Sequence, residues 1–303
     1  MKKIFTKRQF KFNFMGQRKL AYLFSVVLLI ISVASLSIRG LNYGIDFEGG
    51  ILVEASSETP VDMKEVREKL SFLRDLAIQS AGTEGKTILI QAKPEASENA
   101  NDLVARIKEV LGAGYTYDQV EVVGPTIGNE LKEKSLLASI LALFAISVYI
   151  WFRFEWPFAI GCMLSLAHDI IIVLGFFSLF YIEFDMIVVA GLLSLAGYDC
   201  NDTIVTYDRI RENLRKFRKS SVDDVLNRSI NETLSRTLLT SLTTLFVVLI
   251  LLFMGGATLQ GFSIAMVLGT VLGTYSSIYV AVPLLRYFDI RSVGEVAETT
   301  PKA

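Results

Sequence analysis

Histidine occurs once, at His168, and cysteine twice, at Cys162 and Cys200. A single histidine excludes a multi-histidine metal centre. The two cysteines both fall inside apolar runs without ligand-type neighbours, so neither a disulfide framework nor a metal clip is expected. The chain also lacks a nucleophile–base pair, a nucleotide loop and a metal cluster, so neither an enzyme nor a bound cofactor is expected. The net charge of −1 is uninformative as a total; only the distribution of charge matters, and no nucleic-acid partner is expected. Two local absences carry more. The first 19 residues contain no acid, and the short stretches 183–185 and 255–258 contain no Lys or Arg.

Apolar residues make up 52% of the chain and mean hydropathy is +0.46. They cluster into six runs of about 18 residues or more, the length that crosses hydrocarbon: 20–38, 135–152, 157–182, 186–207, 237–254 and 260–285. The reading is a polytopic α-helical membrane protein with six transmembrane helices. Lys2, Lys3, Lys7, Arg8, Lys11, Arg18 and Lys19 place segment 1–19 in the cytoplasm by the positive-inside rule. Threading from there, 20–38 is the first span and 39–134 lies outside. Segment 135–285 holds the other five spans with a basic cytoplasmic loop at 208–235, and 286–303 is a cytoplasmic tail. A cleaved signal peptide is the alternative for the N-terminus, with Val33-Ala34-Ser35 as a small-residue site. The apolar run is too long for a typical signal, so an uncleaved anchor is expected.

Segment 39–134 alternates differently. Its periodicity predicts strand 51–55, helix 61–73, strands 75–79 and 87–92, helix 99–111 and strand 119–123. Gly82 and Gly85 mark a hairpin turn. The order β-α-β-β-α-β is that of an α+β, ferredoxin-like extracytoplasmic domain. Just after the first span, Gly44-Ile45-Asp46-Phe47-Glu48-Gly49-Gly50 places three glycines in seven residues. That density suggests a sharp, specific turn.

Ionisable groups inside the apolar runs are the main functional candidates, because charge at membrane depth is costly and faces a cavity or a partner. His168-Asp169 sits near the middle of the third run. Asp199 and Asp202 share one helix face in the fourth. Arg236 opens the fifth run from the same side as Asp202 and is its natural partner, with Thr237, Thr240, Ser241, Thr243 and Thr244 extending a hydroxyl-rich face. Spacing leaves two readings open for this group: a proton relay, or a static buried ion pair. Gly269-Thr270-Val271-Leu272-Gly273 permits close helix contact, within the chain or with a partner.

These segments together resemble the SecD/SecF family of protein-export membrane subunits. The resemblance rests on the Gly44–Gly50 segment, on Ala167-His168-Asp169 and on Gly197 through Val205 continuing to Asp208-Arg209-Ile210-Arg211-Glu212-Asn213. It also rests on Arg236-Thr237-Leu238-Leu239-Thr240-Ser241-Leu242-Thr243-Thr244-Leu245. It implies a six-span half that pairs with SecD, associates with the SecYEG channel in the bacterial inner membrane, and uses protons or sodium ions to promote late export of unfolded polypeptide. In such families a span-four carboxylate and a span-five arginine serve the ion pathway; here they are Asp202 and Arg236, with Thr240 beside them. One departure stands out. Where the family usually has Ser and then an aliphatic residue, this chain has Asp199-Cys200, which leaves the coupling ion open. A passive assembly scaffold and a stand-alone exporter of small molecules or lipids are the competing readings.

Overall fold

The computed structural model describes residues 12–73, 76–81, 85–93, 99–256 and 258–291. The basic residues through Lys11, together with Asp75, Gly82 and the tail beyond 291, lie outside the described residues. The chain opens with α1 (Phe14–Arg39), whose first turn is capped by the Asn13 side chain accepting from the Gly16 N–H. It then runs through β1 (Asn42–Tyr43), α2 (Ile45–Glu48), β2 (Gly50–Ser56), α3 (Met63–Lys69), β3 (Ala77–Ala81), β4 (Thr87–Ala92), α4 (Ala100–Leu111) and β5 (Thr116–Val123). After these come α5 (Pro125–Arg153), α6 (Trp156–Phe180), β6 (Glu183–Phe184), α7 (Met186–Lys216), α8 (Val222–Met254) and α9 (Gln260–Ser276). A π-helical stretch, Ser277–Ala281, and the short α10 (Val282–Leu284) continue α9.

Among the described residues, five helices are long and apolar enough to cross a membrane: α1, α5, α6, α8 and α9 with its continuation. The fourth apolar run, now α7, stands outside that set because Asp199, Asn201 and Asp202 dilute its hydropathy. The helices also overshoot the apolar runs. Where a loop over 208–235 is expected, α7 continues to Lys216 and α8 begins at Val222. Similarly, α5 starts at Pro125 rather than 135. The physical reason is that hydropathy marks where hydrocarbon would lie, whereas a helix continues until its backbone is capped. Ser221 caps α8 by accepting from the Asp224 N–H. Arg209–Glu232 (2.7 Å) and Arg211–Glu155 (2.8 Å) tie the polar extensions together.

In the bundle α6 and α9 are central, each with 56% of its apolar window buried, against 22%, 11% and 17% for α1, α5 and α8. The outer three therefore present Leu23, Phe24, Leu137, Phe144, Phe246 and Ile250 outward. Apolar faces this continuous are not those of a water-exposed surface. Between α1 and α5 the chain builds an antiparallel sheet in the order β3-β4-β2-β5. Period-two alternation sends Ile51, Val53, Ala55, Ile88 and Ile90 to one face. There they pack with Val66 of α3, Leu70 at its C-cap, and Leu103 and Ile107 of α4. The helix in the first half is shorter than 61–73, and the strands at 77 and 116 begin off the expected 75 and 119. Alternation fixes the face of a strand better than its ends.

The sheet domain joins the bundle through the glycine segment. Gly44 precedes α2, and Gly49 (φ 74°) and Gly50 (φ 147°) lead from it into β2. A Cβ on Gly49 would lie 2.9 Å from Pro125 backbone atoms, and one on Gly128 would lie 2.9 Å from the Gly49 nitrogen. Backbone rests on backbone here, so no side chain can yield. Gly49→Ala should lower stability by about 1–3 kcal/mol, from the left-handed conformation plus the clash. Gly85 also has positive φ (64°) but nothing within 4 Å of its Cβ position, so Gly85→Ala should cost only about 1 kcal/mol. Thermal unfolding of the two variants in detergent checks this; equal losses would remove the close approach to Pro125 as the constraint.

Candidate functional site

α7 carries Asp199 and Asp202 into the centre of the bundle, 2% and 4% exposed. Asp202 accepts from two hydroxyls of α8: Thr240 Oγ1 lies 3.2 Å from Oδ1 and Ser241 Oγ 3.3 Å from Oδ2. Ser241 in turn accepts from Thr274 Oγ1 of α9 at 2.7 Å. Three helices thus meet in one hydroxyl–carboxyl chain. No ion pair joins Asp202 and Arg236 among the described residues, and Arg236 is exposed, its charge acting on Asp202 without direct contact. It lies one turn before Thr240 on the same helix face, and a long arginine there extends its charged head outward.

A second cluster adjoins the first. His168 Nδ1 lies 2.7 Å from Asp169 Oδ1, and Ser276 Oγ donates to Asp169 Oδ2 at 2.5 Å. The Asp199 carboxyl is within hydrogen-bonding reach of Asp169, while its Oδ1 has no donor among the described residues. His168 Nε2 and the Thr203 and Thr270 hydroxyls are likewise buried without a partner there. Since Asp199 and Asp202 are one turn apart, the polar groups form a continuous file from His168 and Asp169 through Asp199 to Asp202, Ser241 and Thr274.

Small residues on α9 let this file form. A Cβ on Gly273 would lie 2.7 Å from Asp199 Oδ1, and one on Gly269 would lie 2.2 Å from the Leu195 side chain. The G-x-x-x-G pattern therefore serves α7–α9 contact within the chain. Just beyond Ser276 the π-helical stretch interrupts the regular ladder, as such stretches often do beside functional sites. Tyr207 Oη donates to the Ala281 carbonyl at 3.0 Å, and a Cβ on Gly161 would lie 2.4 Å from that hydroxyl. Ser276, Thr274, Tyr207 and Gly161 are the site residues that sequence reasoning missed. For Ser276 a signal existed: Gly269, Gly273 and Ser276 follow one another at helical spacing on one face.

The glycine segment lies elsewhere, at the sheet end of the bundle. Asp46 Oδ2 accepts from the Met186 N–H at 3.0 Å and Asp185 Oδ1 from the Val188 N–H at 2.7 Å, so both serve the start of α7. Gln91 of the sheet donates to Glu183 Oε2 at 2.5 Å, and β1 pairs in parallel with β6. The structure thus gathers His168, Asp169, Asp199, Asp202 and Thr240 at one place and Gly44, Asp46, Gly49 and Gly50 at another, with Arg236 at the margin of the first.

Comparison with known proteins bears on this arrangement directly. Residues 104–291 match the family described as "Protein export membrane protein SecD/SecF, C-terminal", and 34–61 match the "SecD/SecF GG Motif". The chain belongs to the SecD/SecF family of protein-export membrane proteins. It is 43% identical over 275 residues to "Protein translocase subunit SecF" of Vibrio alginolyticus, covering 89% of this chain and 87% of that one. The subunit of the same name from Pseudomonas aeruginosa is 41% identical over 283 residues, covering 92% of each. A crystal structure of SecDF, a translocon-associated membrane protein from a Thermus species, superposes with a TM-score of 0.82 at 37% identity, covering 91% of this chain. SecDF in its super-membrane-facing form gives 0.68 at 36% identity over 96% of this chain. The chain spans about two fifths of those SecDF chains, 38% and 40%.

Family membership makes the junction at the start of α7 a feature to test by titration. Burial pushes the Asp185 carboxyl up to about 6, against the opposing pull of the Val188 N–H and with a further push from Asp46. Burial also raises Glu183, partly offset by its bond from Gln91. A carboxyl whose folded-state pKa is raised binds its proton more tightly when folded, so stability falls as pH rises from about 4 to about 6. Thermal unfolding at pH 5 and pH 7.5 should show the chain more stable at the lower pH. Asp185→Asn should flatten that difference, and an unchanged pH response in the variant would assign it to another group.

Proposed function

We propose that this accessory subunit of the Sec protein translocase converts ion flow across the membrane into late-stage export of polypeptide. In this reading α7 is the fourth of six spans, crossing with its carboxyls turned inward. The sheet domain, with its β-α-β-β-α-β order and β3-β4-β2-β5 arrangement, is a ferredoxin-like module on the outer face of the bacterial inner membrane. Both termini and the α7–α8 turn then face the cytoplasm, consistent with the basic residues there. SecD supplies the other half of the unit, and SecYEG the channel through which the unfolded chain moves.

The observation that carries this reading is the file of three buried carboxyls, Asp169, Asp199 and Asp202, connected by hydroxyls across four helices; among the described residues no Lys or Arg pairs with them, and His168 is the one basic group in contact. A structural ion pair needs its cation in place; a carriage site for protons or sodium needs carboxyls that alternately hold and release one. Asp202 holds the ion, Thr240 and Ser241 support its carboxylate, and Arg236, one turn before Thr240 on α8, answers its charge. Asp169 and Asp199 can share their contact only when one of them carries a proton or both hold a cation.

Export into inverted vesicles under separate proton and sodium gradients tests this. Asp202→Asn and Arg236→Met should each reduce gradient-dependent export by about tenfold or more while leaving the complex with SecD intact. Asp199→Ser, which restores the usual family residue, should change which gradient drives export. Full gradient-dependent export in the first two variants would leave a passive scaffold. Purification as a stable homodimer without a SecD-like chain would instead favour a stand-alone exporter.

A further inference from the structure

At the end of the bundle opposite the sheet lies a cleft of about 90 Å³ among the start of α6, the last turns of α7 and the segment after α10. Four guanidiniums, from Arg211, Arg215, Arg218 and Arg291, line it with one carboxylate, Glu155. Its floor is apolar: Phe158 and Ile290 are buried and Leu214 packs beside them. We propose that this cleft binds the headgroup of an anionic phospholipid of the cytoplasmic leaflet, with the phosphate on the arginines and a headgroup hydroxyl on Glu155. The proposal rests on the cytoplasmic orientation inferred above.

Two buried polar atoms ask for such a ligand. Arg291 is held in place by donating to the Arg218 carbonyl at 2.5 Å and to the Ser220 carbonyl, yet its Nε is buried with no acceptor among the described residues. Glu155 Oε1 accepts from Arg211 at 2.8 Å, while its Oε2 is buried with no donor. Leaving such groups unsatisfied is costly, the more so for charged ones. A phosphodiester oxygen would accept from Arg291 Nε, and a hydroxyl on the same headgroup would donate to Glu155 Oε2. Phosphatidylglycerol has both. Of the nearby acids, Asp208 pairs with Arg153 at 3.0 Å and lies 4.0 Å from Arg211, and Glu212 pairs with Arg209 at 2.5 Å.

Depth supports a lipid over a soluble anion. The chain has two tryptophans. Both, Trp151 and Trp156, flank the turn that carries Glu155, and both are exposed. Trp156 meets Phe288 edge-on with ring centroids 5.2 Å apart. Exposed tryptophan marks the headgroup level of a bilayer, and basic clefts at that level suit anionic headgroups.

Native mass spectrometry of the full chain in an uncharged detergent, with phosphatidylglycerol or phosphatidylcholine added, reads this directly. The wild type should retain one phosphatidylglycerol with about tenfold preference over phosphatidylcholine. The doubly substituted Arg215→Gln, Arg218→Gln chain, whose altered side chains are exposed, should lose that preference, whereas Lys134→Gln at the sheet end should keep it. Equal retention by the doubly substituted chain, or equal retention of the two lipids, overturns the proposal. Displacement of phosphatidylglycerol by millimolar inorganic phosphate overturns it in favour of a soluble anion. Retention in detergent is independent of sidedness. A reversed topology would appear separately, as labelling of Arg215→Cys by an impermeant thiol reagent from outside intact cells.

Discussion

Carboxyls surrounded by apolar helices dictate much of this molecule. Asp169, Asp199 and Asp202 cannot face hydrocarbon without a cost of several kcal/mol each, so α6 and α7 must turn them inward and α9 must come close enough to close the file. That closeness requires the missing side chains of Gly269 and Gly273. It also explains the division of the bundle, in which α6 and α9 are the enclosed helices and α1, α5 and α8 carry the outward leucines, isoleucines and phenylalanines. The polar interior and the apolar exterior follow from one constraint.

Asp199 and Asp202 have different surroundings despite lying one turn apart. Asp202 is supported by two hydroxyls of α8, Asp199 by none on its Oδ1. Asp199 instead meets another carboxyl and the bare backbone of Gly273. A serine in its place would make no such demand for a proton or a cation. Of the three carboxyls in the file, Asp199 is therefore the one with the fewest compensating donors among the described residues.

The apolar runs were legible because hydropathy over about 18 residues is a strong signal, and the carboxyls within them were legible because they violate it. The relation of Asp202 to Arg236 was less so. Both sit at comparable distances from the basic end, but sequence does not say where a long flexible side chain points, and Arg236 points outward. Helix ends were misplaced at 208–235 because ion pairs such as Arg209–Glu232 sustain helix beyond the apolar run. Ser276 went unnoticed because a serine in an apolar helix has many uses; its spacing from Gly269 and Gly273 places it on the close-contact face, and the approach of Asp169 from α6 gives it its role. In the sheet domain alternation marked the strands, since each sends every second residue to one core.

Only Gly124 separates β5 from α5, and the Gly49 backbone lies directly on Pro125. The sheet and α5 are therefore directly coupled, through one residue and a backbone contact. Of the five long apolar helices α5 has the smallest buried share, so leaning it disrupts the least packing. One tether of this unit is the 3.0 Å bond from the Met186 N–H to Asp46, on the helix that carries Asp199 and Asp202. Sliding α7 by one residue, about 1.5 Å, would exceed the reach of that bond. A small axial step at the carboxyls must therefore either break the tether or tilt the whole domain.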